Sequence, residues 1–76
     1  MKTFVRLKTD FRPFTYLVLN ETKGHDGRDC LVLAEFGFDP NKSRVVLRDL
    51  CEPVQLPEYM LQNIEEWLKK YNFVVK

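Results

Sequence analysis

The chain has 76 residues, of which 45% are hydrophobic and 30% charged, and its formal net charge at pH 7 is +1. This length predicts one domain over residues 1–76, and the composition is that of a globular protein rather than a disordered one. A charge close to neutral argues against a generic polyanion binder, and no apolar run reaches the roughly 18 residues of a membrane span. Because the charged amino terminus is unlike a secretion signal, we expect a cytoplasmic protein with no membrane contact and with reduced cysteines.

The first half of the chain has the patterns of β-strands. Residues 2–9 alternate between polar and apolar side chains, which predicts a half-exposed edge strand. Residues 14–21 (FTYLVLNE) are apolar on both faces and predict a central strand. The glycine-containing stretch 22–29 predicts a hairpin loop that leads into a third strand at 30–38. Gly37 within that strand is expected to mark a bulge.

The second half of the chain predicts one more strand, followed by a connection to the helix. The sequence DPNK at 39–42 favours a type I turn, and residues 43–51 predict a fourth antiparallel strand. Residues 52–56, which include a proline, are expected to break the sheet and connect it to the helix. The apolar tail 73–75 fits either a fifth strand or a plug beside the helix, and the sequence does not separate these alternatives.

Residues 57–71 (PEYMLQNIEEWLKKY) predict the single helix of the chain. Their apolar residues recur at intervals of three and four, which places them on one stripe. Pro57 suits the first turn, and Lys69 and Lys70 complement the carboxy-terminal end of the helix dipole. A helix of this length is about 22 Å long and marginally stable alone, so we expect it to dock on the sheet.

These elements predict an α+β fold: a four-stranded antiparallel β-meander with one carboxy-terminal amphipathic helix packed on one face. A small β-barrel capped by the helix is the alternative. The turn lengths predict that Phe38 lies opposite Ser43 and Cys30 opposite Cys51. The helix is then expected to cover the face that contains Leu17, Leu19, Cys30, Val32, Ala34, Phe36, Val45 and Leu47.

The sequence offers little for catalysis, and we predict no catalytic, metal-binding or cofactor-binding residues. The one serine, Ser43, and the one histidine, His25, lie in loops at opposite ends of the third predicted strand. A pair formed by Cys30 and His25 would have no third group to orient it. The predicted proximity of Cys30 and Cys51 permits a zinc site or a disulfide, but no metal-ligand spacing supports the former, and two buried thiols are favoured.

The sheet face opposite the helix is unusually apolar, and this predicts a protein-binding surface. Its expected contact residues are Tyr16, Val18, Leu31, Leu33, Arg44, Val46 and Arg48. The sequence therefore favours a non-enzymatic interaction module, such as an inhibitor or accessory subunit, that binds a protein partner or a second copy of itself. If the sheet rolls into a barrel or the tail covers this face, the same residues become core.

Single-stranded nucleic acid is the alternative partner. Aromatic and basic side chains on a sheet are typical of surfaces on which bases stack. The residues that would supply them are Phe4, Arg6, Phe14, Tyr16, Arg44 and Arg48. The near-neutral charge and the lack of a recognisable RNA-binding motif make this function the less favoured one.

Overall fold

The fold is α+β, with an open antiparallel sheet of five strands and one carboxy-terminal helix, which confirms the predicted class. The computed structural model describes residues 2–12 and 14–75. The strands are β1 (Phe4–Leu7), β2 (Tyr16–Lys23), β3 (Asp29–Glu35), β4 (Arg44–Leu47) and β5 (Cys51–Val54), and the helix is α1 (Glu58–Lys70). A 3₁₀ turn at Arg48–Leu50 joins β4 to β5. The order across the sheet is β4-β3-β2-β1-β5.

The fifth strand corrects the predicted connection. Residues that were expected to break the sheet instead pair with β1, with Cys51 opposite Leu7 and Val54 opposite Phe4. Pro53 is compatible with this strand because β5 lies at the edge of the sheet, where a missing N–H need not break a ladder. The tail 73–75 forms no strand; it packs beside α1, as the plug alternative predicted.

The predicted register between β3 and β4 is wrong by four residues, since Cys30 lies opposite Leu47 rather than Cys51. The cause is a longer connection: β3 ends at Glu35 and β4 begins at Arg44, so the turn residues extend well beyond 39–42. An even shift leaves the side chains of β3 and β4 on their predicted faces. Gly37 lies in this connection with a φ of 95°, so it marks a turn and not a bulge.

The bulge lies in β2 instead. The pairing of β2 with β3 shifts between Val18 and Asn20, so that Leu19 is the extra residue. Beyond this point Glu21 pairs with Leu31 and therefore lies on the sheet face opposite α1. The bulge thus brings a carboxylate to a face that would otherwise receive the side chain of Asn20.

The helix covers one face of the sheet and forms the first core. Ile64, Trp67 and Leu68 are its buried residues, and they pack against Phe4, Leu17 and Ala34 of the sheet. The ring of Phe36 meets that of Trp67 edge to face at a centroid distance of 5.3 Å. Within the described ranges 2–12 and 14–75, no helix combines the length and the apolar content needed to cross a bilayer.

The opposite face forms a second core, because the sheet rolls inward. In a flat five-stranded sheet the edge strands β4 and β5 would be separated by four interstrand spacings, about 19 Å. Only residues 48–50 connect these two strands. A 3₁₀ turn advances about 2 Å per residue, so this connection is much too short to span that distance. The sulfur of Cys51 accordingly lies 3.6 Å from the carbonyl oxygen of Leu47. The sheet is therefore rolled like a barrel, but it remains open between its two edges.

Candidate interaction surfaces

The structure buries the centre of the predicted protein-binding patch. Tyr16, Leu31 and Leu33 expose 2%, 6% and 0% of their surface and belong to the second core together with Val5 and Leu7. Side chains buried to this degree have no area to offer a partner, so these three residues do not form a docking surface in this structure. The physical reason is the rolling of the sheet, which turns the face that the helix leaves uncovered into an interior.

The other four residues of the predicted protein-binding surface remain at least partly accessible. Val18 and Val46 are half-buried, and Arg44 and Arg48 are exposed. Arg48 forms an ion pair with Glu21, with 3.2 Å between Nη1 and Oε1.

Tyr16 links the second core to the loop that precedes β2. Arg44 lies over the Tyr16 ring, with its guanidinium carbon 5.5 Å from the ring centroid. The Tyr16 hydroxyl donates a hydrogen bond to Oδ2 of Asp10 at 2.9 Å. Burial raises the pKa of Tyr16 to about 12, and the hydrogen bond and negative charge of Asp10 act in the same direction. The hydroxyl therefore stays protonated at neutral pH and fixes the position of Asp10 in the loop.

The most exposed aromatic residue of the described part of the chain, Phe11, lies in this loop and was missed from the sequence. The side chain of Phe11 is fully exposed, at 101% of its reference area, and Phe14 is 46% exposed. Phe11 falls between the strands predicted at 2–9 and 14–21, and the pattern of neither strand assigns it a role. The available signal was an aromatic residue in a polar, turn-forming segment, where no strand or helix period accounts for it.

Two clefts flank an ion pair next to these aromatic residues. Arg6 on β1 donates from Nε to Oε2 of Glu52 on β5 at 2.7 Å, and both side chains remain partly exposed. One cleft, of about 640 Å³, is lined by Phe14 and the β5 residues beside Glu52. The other, of about 300 Å³, is lined by Phe11 and Arg12. We call Arg6, Phe11, Arg12, Phe14 and Glu52 the loop surface.

The two cysteines do not meet. Each thiol lies near a backbone carbonyl, that of Arg28 for Cys30 and that of Leu47 for Cys51, at 3.6 Å in both cases. Both cysteines are free, and burial raises the pKa of the Cys51 thiol, which disfavours its reactive thiolate form. Across residues 2–12 and 14–75, no group of three or more His, Cys, Asp or Glu side chains is arranged to hold a metal ion.

The glycine-containing loop between β2 and β3 satisfies its own polar groups. Asp26 accepts a hydrogen bond from the Arg28 backbone N–H at 3.1 Å and pairs with the Arg28 guanidinium at 3.0 Å. Gly27 has a φ of 81°, a conformation that glycine adopts without strain. Lys23 pairs with Asp29 across the hairpin at 2.7 Å and lowers the pKa of that carboxyl. The charges of this loop therefore have local partners.

Comparison with known proteins found no matching family model, no matching curated protein and no matching solved structure. The assignment of function therefore depends on the chemistry of these surfaces.

Proposed function

We propose that this chain is a small, non-enzymatic protein-interaction module, an inhibitor or accessory subunit, that docks through the loop surface. The observation that supports this function is the complete exposure of Phe11. An exposed phenylalanine gains about 1.5–3 kcal/mol when a partner removes it from water, so it is a natural anchor for an interface. The proposed surface differs from the uncovered sheet face predicted from the sequence, because that face is largely interior.

The composition of the loop surface also supports a protein partner. Aromatic residues and arginine are the residue types most enriched among the strong contacts of protein interfaces, and here Phe11, Phe14, Arg6 and Arg12 lie together. Glu52 adds an acceptor beside these donors. A surface with both charge signs suits a protein partner better than a polyanion, which would meet repulsion from the carboxylate.

Photo-crosslinking from position 11 tests this proposal. We expect p-benzoylphenylalanine in place of Phe11 to crosslink one discrete protein in an extract of the source organism, identified by mass spectrometry. The matched control carries the same group at Tyr59, which is 68% exposed on α1 and lies outside the loop surface. Crosslinks of equal yield from both positions, or none from position 11, would contradict the proposal. A crosslink between two copies would identify a homodimer instead.

A loss-of-contact variant complements this test. Phe11→Ser should abolish capture of that protein and leave the thermal unfolding of the free chain unchanged, because the Phe11 side chain makes no buried contact. A lower melting temperature for Phe11→Ser would show that the side chain is structural rather than part of an interface.

Single-stranded nucleic acid remains the second candidate, favoured by one observation: Arg6 and Phe14 line the same cleft. This function predicts that fluorescein-labelled oligothymidylate binds at low salt, and that Arg6→Glu and Phe14→Ala weaken the binding. Tyr16, which the sequence assigned to this role, is buried and is not a suitable test position. An anisotropy that stays constant at low salt would remove the nucleic-acid function without affecting the protein-binding one.

A further inference from the structure

Strand β4 is an edge strand whose outward backbone groups belong to Val45 and Leu47. Phe36 donates its N–H to the Thr15 carbonyl oxygen at 3.0 Å, so the backbone groups of even-numbered β3 residues point to β2 and those of odd-numbered residues point to β4. Odd-numbered β3 residues pair with even-numbered β4 residues. The odd-numbered residues of β4 therefore direct their N–H and C=O groups away from the sheet.

Most of this edge is unoccupied by the chain itself. Of the outward carbonyls, that of Leu47 has the Cys51 thiol at 3.6 Å, whereas no hydrogen bond from the described residues reaches the backbone of Val45. The side chain of Val45 is 59% exposed. An apolar side chain beside unpaired backbone groups is the arrangement that an incoming strand completes.

The opposite edge of the sheet is protected, which singles out β4. Strand β5 contains Pro53, which has no N–H to offer, and its Glu52 is held by Arg6. Strand β4 contains no proline and no bulge. A proline that discourages strand addition is therefore present on β5 and absent from β4.

The charges along β4 indicate the kind of strand that fits. Arg44 has no carboxylate within 4.0 Å among the described residues, although Glu35 and Asp39 line the same cleft. Lys42, which also lines this cleft, has no ion pair with a described residue either. Arg48 lies in the 3₁₀ turn after the strand, and its ion pair with Glu21 places it on the same sheet face as Arg44, which covers Tyr16. An acidic residue opposite each arginine would gain charge-assisted contacts that the chain does not itself supply to Arg44.

A second copy of this chain fits the edge poorly. When two β4 strands pair through their outward groups in an antiparallel sense, the arginines at 44 and 48 of both copies lie on one face, because outward residues have odd numbers in each copy. Like charges opposed across strands are destabilising. The edge therefore suits a strand of opposite charge.

We propose that the β4 edge binds an extended acidic segment of a partner protein as an added strand of the sheet. The apolar residues of that segment cover Val45 and Leu47, and its acidic residues, which alternate with them, lie opposite Arg44 and Arg48. This site lies on β4 and shares no residue with the loop surface, which lies on β1, on β5 and in the loop before β2.

Binding of a model strand tests this proposal. The probe is a fluorescein-labelled nonapeptide of alternating glutamate and valine, with the lysine and valine peptide as its counterpart. We expect the wild-type chain to bind the acidic peptide at least about tenfold more tightly than the basic one. The glutamates of the acidic peptide would attract Arg44 and Arg48, whereas the lysines of the basic peptide would repel them. Arg44→Glu should reduce or reverse this preference. Equal affinity for the two peptides, or no binding of the acidic peptide at millimolar concentration, would overturn the proposal.

Substitution at Val45 separates strand addition from other modes of binding. Val45→Pro removes an outward N–H that takes no part in the β3–β4 ladder, so it should weaken the acidic peptide about tenfold or more, whereas Val45→Thr keeps the N–H and should bind within about twofold of wild type. Equal affinity of the proline and threonine variants would overturn the proposal.

Nuclear magnetic resonance on the wild-type chain provides a readout that does not depend on how the proline variant folds. Addition of the acidic peptide should shift the amide signals of residues 43–48 and leave those of Glu52 and Val54 on β5 unchanged. Shifts confined to β5 or the loop surface would overturn the proposal. If sedimentation shows that the wild-type chain is a dimer and that Val45→Pro dissociates this dimer, the edge belongs to a second copy and the proposal is overturned.

Discussion

Trp67 contributes to stability through both its ring and its N–H group. It is 7% exposed, and its Nε1 donates a hydrogen bond to the Phe38 carbonyl oxygen at 2.7 Å. Trp67→Ala should cost about 3–5 kcal/mol of unfolding free energy, whereas Trp67→Phe, which keeps most of the packing, should cost about 1–2 kcal/mol. Urea unfolding followed by circular dichroism measures both values. Tyr59→Ala on the exposed side of α1 is the control, expected within about 0.5 kcal/mol of wild type.

The buried hydroxyl of Tyr16 should make stability fall at alkaline pH. Burial raises the pKa of Tyr16 from its usual value of 10.0 to about 12 in the fold. The stability due to the protonated hydroxyl is therefore complete below pH 10 and is lost as the pH rises from 10 to 12, by up to about 1.4 kcal/mol per pH unit. Tyr16→Phe lacks this ionisation, so its unfolding free energy should decline less steeply over that interval. Parallel curves for the two proteins would contradict the assignment.

The end of α1 is defined by a residue in the left-handed conformation. Asn72 has a φ of 52°, its N–H bonds to the Lys69 carbonyl oxygen at 3.0 Å, and the Phe73 N–H bonds to that of Leu68 at 2.9 Å. These two bonds form a Schellman motif, with Phe73 packed against the core cluster that contains Leu68. Asn72→Gly should therefore stabilise the protein by a few tenths of a kcal/mol to about 1 kcal/mol, and Asn72→Ala should destabilise it by a similar amount. Thermal unfolding of both variants measures this difference, and a stabilising Asn72→Ala would contradict the motif.

The elements differ in how far the sequence predicts them. The helix was predicted as 57–71 and is Glu58–Lys70, because its apolar period and its end signals agree. The third strand was predicted too long, since its apolar run continues through Phe36 and Phe38, which lie in the connection after β3 and not in the ladder. Strand β5 was missed because four residues that include Pro53 show no alternation, and their pairing with β1 depends on tertiary structure.

The sequence predicted two apolar faces and left open whether a partner, the tail or a rolled sheet covers the second. Alternation assigns Tyr16, Leu31 and Leu33 to one face whether the sheet is flat or rolled. The sheet rolls because the connection from β4 to β5 consists of residues 48–50 alone. This constraint is recognisable only when β5 is known to pair with β1. Of the predicted interface residues, Arg44 and Arg48 lie at the surface as expected, whereas the sequence assigned no role to Phe11 because it belongs to no periodic element.

Substitutions at Leu33 test whether the sheet face opposite α1 is interior or open to solvent. It is fully buried, at 0% exposure, and Leu33→Asp would place a carboxylate in the second core without a partner. We expect this variant to be unfolded at neutral pH and Leu33→Ala to lose about 2–5 kcal/mol, as measured by circular dichroism and urea unfolding. The matched control, Leu61→Asp, changes a residue of α1 that is 40% exposed and should stay folded. A folded Leu33→Asp with an unchanged melt would mean that this face is open to solvent, and it would restore the docking surface that the sequence predicted there.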